Sequence, residues 1–278
     1  MLRELWRFRT TLWPGLIVAV LLLGFAGVLF GTLYHAAGGI TPFPVSDRIL
    51  SLLKFTLFQA TLSTLLSLLL GLLLAWSLAH QPRFCCRSAV VALFGSSLVL
   101  PSLIVAFGII TVLGNHGWFN QLAELLTSRT FGSYVYGLSG ILIAHVYLNA
   151  SFASLGLLRA FESIPVEKYR LSASLGLSPW QRFRTLEWVA IRSTLPRIGI
   201  TIFLLCFSSF AIVLLLGGSP AYNTLEVAIY EAVRIDFDLP AALQIAAIQL
   251  MISMLLLLIA SGMPQGLNNL KQSSRLVP

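Results

Sequence analysis

FTLFQATLSTLLSLLLGLLLAWSLA, Phe55 to Ala79, carries no charged side chain and is longer than the roughly 20 apolar residues a helix needs to cross a bilayer core of about 30 Å. Backbone groups inside lipid have no water to bond, so a run of this length spans as a helix. Similar windows lie at Leu12 to Tyr34, Ser88 to Leu113, Leu138 to Leu158, Thr194 to Leu216 and Ala241 to Gly262. The short alternating segments of a β-barrel are absent. The expected fold class is therefore all-α, a polytopic membrane protein of about six transmembrane helices.

Composition agrees. The 278 residues are 57% hydrophobic and 10% charged, with a mean hydropathy of +0.88. That is more apolar surface than a soluble core of this size buries, and the excess must face lipid. The net charge of +8 does not point to nucleic acid, because the basic residues flank apolar runs and form no stripe with interleaved aromatics. Three cysteines make no disulfide framework. Cys85 and Cys86 are adjacent, where a bridge is strained, and are read as reduced thiols. The first window follows Arg3, Arg7 and Arg9 as a signal peptide would, but it is too long for an h-region and is read as a retained helix.

All of the 18 Lys and Arg except Arg48, Lys54, Arg129 and Arg234 fall on one side of the windows. The positive-inside rule places that side, with both termini, in the cytoplasm. The chain divides into 1–49 (N-terminus, first helix and external loop), a transmembrane core at 50–262 with a cytoplasmic loop at 159–192, and a polar cytoplasmic tail at 263–278. Pro101 should kink the third helix, by packing alone or as a moving hinge. Gly27 with Gly31, and Gly71 with Ala75, have the spacing of close helix contacts.

The cytoplasmic stretch FESIPVEKYRLSASLGLSPWQRFRTLEWVAIRSTLP reads as two short helices. Pro165 suits the first turn of one running to about Leu175, and Gly176 the left-handed residue that ends it. Ser178, Pro179 and Gln181 then signal a capped second helix. Polar side chains within spans are costly, which draws attention to His145 and Asn149 on one face of the fourth helix, Tyr147 on another, and Ser208 and Ser209 in the fifth. Each also has a structural reading as an inter-helix or backbone hydrogen bond. Outside, Gly217 and Gly218 allow a sharp exit, and Leu225, Ala228, Ile229 and Ala232 share one face of a short amphipathic helix.

The glycine followed by Ser-Pro-Trp-Gln-Arg-Phe-Arg, Gly176 to Arg184, resembles the coupling loop of binding-protein-dependent ABC importer permeases of the type I fold. Aligning the family's EAA-x3-G signature on Gly176 puts Arg170, Leu171 and Ser172 at the EAA positions, so only the glycine is identical. GILIAHVYLNASFAS (Gly140 to Ser154), LCFSSFAIVLLLGGSP (Leu205 to Pro220) and TLEVAIYEAVRIDFD (Thr224 to Asp238) are similar to the N-terminal half of the thiamine and thiamine-pyrophosphate permeases. Those usually carry two such halves, and this chain holds one.

The resemblance implies a permease half in a bacterial inner membrane. Its partners would be an ABC ATPase subunit in two copies, a periplasmic substrate-binding protein and a second half, itself or a separate chain. Gly176, Ser178, Pro179, Trp180, Gln181, Arg182, Phe183 and Arg184 would dock the ATPase. The other reading of this segment is a basic helix lying on lipid headgroups. His145, Tyr147, Asn149, Ser208 and Ser209 become candidates for the substrate path, and Glu226, Glu231, Asp236 and Asp238 for contact with the binding protein or for plain solvation. For a thiazolium-pyrimidine cation, Trp76, Phe207 and Phe210 offer further π faces.

No phosphate-cradling GxxxxGK[ST] loop is present, so ATP and Mg are expected on the partner and no cofactor on this chain. No catalytic or metal-ligating constellation is found, since His35, His80, His116 and His145 are scattered. Iron, polyamine or another small solute is the alternative cargo, and a non-ABC channel or anchor the alternative class.

Overall fold

The computed structural model describes residues 47–81, 85–127, 135–218 and 222–262, with positions 20, 24, 27, 28 and 31 of the first apolar window and position 35 just after it. Most of that window and the tail at 263–278 lie outside the described residues. Among the described residues every regular element is helical.

Helix α1, Asp47–His80, extends the opening stretch at both ends. The third window is not one kinked helix, as the sequence predicts, but two, α2 (Arg87–Ser97) and α3 (Ser102–Leu113). Pro101 has no N–H to donate, and its ψ of 133° turns the chain out of the helix before α3 starts. A turn through Gly114 leads to α4 (Trp118–Thr127), and α5 (Leu138–Glu162) follows.

The 159–192 stretch forms α6 (Val166–Ser174) and α7 (Pro179–Arg182), a π-helical turn (Phe183–Glu187) and α8 (Trp188–Ile191). Pro165 sits at the N-cap of α6, one place before the first turn. The fifth window is also broken, into α9 (Leu195–Phe207) and α10 (Ala211–Leu216), with Ser208, Ser209 and Phe210 between. Helix α11 (Leu225–Arg234) and the long α12 (Leu239–Ser261) complete the described chain.

Among the described residues, four helical stretches are long and apolar enough to cross a membrane: 47–80, 102–126, 138–162 and 239–261. A fifth counts if 179–191 and 195–207, bent by 57°, form one span. Of the six predicted spans, the first lies outside the described residues and the third and fifth change their limits.

The frame is the pair α1 and α5, which pack along most of their length. Gly71 allows it: a Cβ there would strike that of Ala153 and lie 3.0 Å from the Ala150 carbonyl. The small-residue spacing at Gly71 and Ala75 thus marks a close helix contact, Ala75 itself being fully buried. Nothing lies within 4 Å of a Cβ placed on Gly27 or Gly31. The core continues through Leu157, Phe161, Ile191, Ile202 and Phe207, which α5, α8 and α9 contribute.

Charged contacts sort to the two ends of the bundle. Arg87 pairs with Glu162 at 2.8 Å near the α6–α8 loop, while Arg48 lies 4.0 Å from Glu231 at the opposite end. This matches the division of loops read from the sequence.

Candidate functional site

The two helix breaks face one cavity of about 510 Å³. Ser97, Leu98, Leu100 and Ser102 reach it from the break before α3, Ser208, Ser209 and Phe210 from the break after α9, and His145, Asn149 and Phe152 from α5. No lining residue is charged. His145, Asn149, Ser208 and Ser209, on separate predicted helices, are therefore brought together. Tyr147 is not: it faces a separate apolar cleft of about 450 Å³ beside Ile104 and Gly108.

A helix that stops inside a bundle leaves carbonyls without partners. Behind the cavity these are met from α1, where Gln59 Nε2 donates to the Cys206 carbonyl at 2.9 Å. Asn149 Nδ2 donates to Cys206 Sγ at 3.2 Å, and His145 Nδ1 lies 3.1 Å from Ser63 Oγ. Ser208 Oγ donates to the Leu204 carbonyl at 2.8 Å. His145 Nε2, buried at the cavity wall, has no hydrogen-bond partner. The lining combines seryl hydroxyls, an amide, an imidazole and the rings of Phe152 and Phe210. Of the other aromatic candidates, Phe207 is fully buried and stacked on Phe203, and Trp76 sits at the far end of α1.

In the 159–192 loop, Gly176 adopts φ +67°, the left-handed conformation a side chain with a Cβ resists. Ser178 caps the next helix, its Oγ accepting from Gln181 N at 3.3 Å while Ser178 N donates to Gln181 Oε1 at 2.8 Å. Pro179 opens α7. Trp180 is 69% exposed and stacks on Phe183 at 5.7 Å. Gln181 and Arg184 face outward, and Arg182 is half-buried over the Tyr169 ring, 5.9 Å from its centroid. Burial, then the Glu187 carboxylate, pushes the Tyr169 hydroxyl up to about 12 against the pull of Arg182. It stays neutral, and the ring clips α6 to α7.

Glu187 is the residue the sequence reading missed. Its side chain is 1% exposed and accepts from Trp76 Nε1 and His80 Nε2, each at 3.1 Å. The signal was present as a lone carboxylate between Leu186 and Trp188, and as an indole and an imidazole four residues apart at the end of an apolar run.

At the opposite end of the bundle α11 buries Leu225, Ala228 and Ala232 and half-buries Ile229, as its periodicity predicts. Its N-terminus is tied to α1 by Leu225 N donating to Thr56 Oγ1 at 3.1 Å. The four acidic residues have separate fates. Glu226 accepts from Gln249 at 2.6 Å, Glu231 from Asn223 at 2.8 Å, and Asp238 caps α12 through Ala241 N at 3.0 Å. Asp236 is exposed.

No family model matches the chain. The thiamine transport system permease protein ThiP of Haemophilus influenzae is 38% identical over 250 residues, covering 89% of this chain and 46% of that protein. The chain thus spans under half the length of that relative. The molybdenum transport system permease protein ModB of Azotobacter vinelandii is 30% identical over 186 residues, covering 67% of this chain and 80% of ModB. In fold the chain is similar to the crystal structure of a bacterial alginate ABC transporter in complex with its alginate pentasaccharide-bound periplasmic protein. The TM-score is 0.73 at 18% identity, over 92% of each chain. Together with its apolar helices, these likenesses establish a multi-pass membrane protein that belongs to the permease family of ABC importers.

Proposed function

We propose that the chain is one translocating half of an ATP-driven importer of thiamine or thiamine pyrophosphate. It lies in a bacterial inner membrane with its termini and the 159–192 loop in the cytoplasm. The observation that carries this reading is an apolar surface on a loop that faces water. Leu171, Leu175 and Trp180 are 60%, 66% and 69% exposed beside a capped helix whose entry Gly176 fixes. Large apolar side chains on a polar loop need a partner to cover them, and an ABC ATPase, two copies of which would hold ATP and Mg, fits that role. Closure of that motor would push the loop as a rigid piece.

The name of the Haemophilus relative supports thiamine. The uncharged cavity suits such a cargo, because hydroxyls and ring faces hold a heterocyclic cation without burying a second full charge. A periplasmic binding protein would deliver it at the opposite end, where Asp236 is free to meet a basic side chain. A second half, itself or a separate chain, would close the other wall.

Proteoliposomes holding the chain, its ATPase and its binding protein test this. Radiolabelled thiamine should accumulate only with ATP. Gly176→Val should abolish both uptake and ATPase co-purification, since a β-branched residue strains the left-handed turn by about 1–2 kcal/mol. Unchanged association in Gly176→Val would remove the docking role, and absence of thiamine uptake in the wild type would remove the cargo.

A further inference from the structure

Glu187 is a buried carboxylate whose ion pair within its own loop is long, Arg182 Nε lying 3.9 Å from Oε1. Both groups that donate to it come from the last turn of α1. Trp76 Nε1 reaches Oε2 and His80 Nε2 reaches Oε1. The two are four residues apart, hence on one helical face, and their rings lie 4.5 Å apart. His80 Nδ1 is also 2.9 Å from the Trp76 carbonyl. Both imidazole nitrogens thus face oxygen atoms, one on the loop and one on α1 itself.

On the loop side, Glu187 ends the π turn that follows α7. That turn's wider winding brings the carboxylate inward while Trp180 points out. The docking surface and the end of α1 are then joined by two part-buried hydrogen bonds. Helix α1 in turn runs, along the same α5 contact, past Gln59 and Ser63 behind the cavity.

We propose that Glu187 is the positioning residue through which the coupling loop moves α1, the Glu187–Trp76–His80 junction making the two one rigid piece. This rests on reading Gly176 to Arg184 as the ATPase-docking surface. A displacement of the loop reaches the Gln59 and Ser63 level of α1 directly, and the cavity wall they support changes shape with it.

The test uses the full complex in proteoliposomes, with Cys85 and Cys86 replaced by Ser and spin labels on Ser77→Cys in α1 and Ser174→Cys in α6. Electron–electron distance measurement should give one narrow distribution that ATP does not shift. Glu187→Gln should keep ATPase binding, broaden that distribution in ATP, and lower thiamine taken up per ATP hydrolysed by about tenfold, the size of a typical coupling between sites. His80→Gln keeps a donor toward Glu187 and should retain most of the coupling, whereas His80→Ala should lose it. Wild-type distances and uptake per ATP in Glu187→Gln would overturn the proposal. So would loss of ATPase binding in that variant, which would make Glu187 a docking or folding residue. A wild-type chain that binds no ATPase would overturn the docking reading, and the junction's role with it.

Discussion

Helices α1 and α5 run unbroken for 34 and 25 residues, whereas the neighbouring windows stop after 11 residues in α2 and 13 in α9 and resume beyond a gap. The continuous pair is built on a glycine and alanines that let the backbones touch. The broken pairs end on prolyl and seryl turns that expose polar groups at mid-chain. Both gaps open on the same cavity, and the unbroken pair supplies side chains to the Cys206 end of α9, Gln59 to its carbonyl and Asn149 to its thiol. The difference teaches a division of labour. Continuity resides in α1 and α5, and polar groups face the cavity where the other helices break.

The sharpest way to break this comparison is to overpack the continuous pair. Gly71→Leu should force α1 from Ala150 and Ala153 at about 3 kcal/mol or more, lowering the thermal midpoint in detergent by about 10 °C. Gly95→Leu in α2, where nothing lies within 4 Å, should leave that midpoint within about 2 °C. Equal losses at both sites would erase the distinction. Next in size is Gln59→Leu. It leaves the Cys206 carbonyl at the α9 break without its donor and should cost about 1–3 kcal/mol, read as a lower midpoint with near-normal helix content.

His145→Leu removes the buried hydrogen bond with Ser63 and should cost about 1–3 kcal/mol, while weakening apparent thiamine affinity about fivefold, the worth of one neutral hydrogen bond of about 1 kcal/mol. Stability lost without any effect on affinity would make His145 a packing group. Smallest is Ser208→Ala, which removes an exposed hydroxyl's bond to the Leu204 carbonyl and should stay within about 0.5 kcal/mol. A larger loss would show that the break is held by that hydroxyl and not by Gln59.

The features legible in the sequence were those decided locally. The capping box at Ser178 and Gln181 needs only residues three apart, and the left-handed turn at Gly176 needs only a missing Cβ. The long uncharged run of α1 is legible for the same reason. The breaks were hidden because lipid-compatible side chains surround them. Ser208 and Ser209 can stay in a helix by bonding the preceding turn, so apolar flanks read as continuity, and Pro101 alone permits a kink as readily as a full stop. What decides is tertiary: a partner such as Gln59, 147 residues from Cys206, that satisfies the freed carbonyl. The same holds for Glu187, whose donors stand 107 and 111 residues away. His145, Asn149 and the two serines could be grouped because polarity within spans is rare, yet Tyr147 went to another cleft since its helical face differs.

The most direct measurement is the labelling of Ser209→Cys, with Cys85 and Cys86 replaced by Ser, in proteoliposomes that hold the whole complex. If the broken helices line the path, a membrane-impermeant maleimide should label this position at a rate that changes with ATP, and saturating thiamine should slow the reaction. Labelling indifferent to both ATP and thiamine would contradict a cavity that takes part in transport.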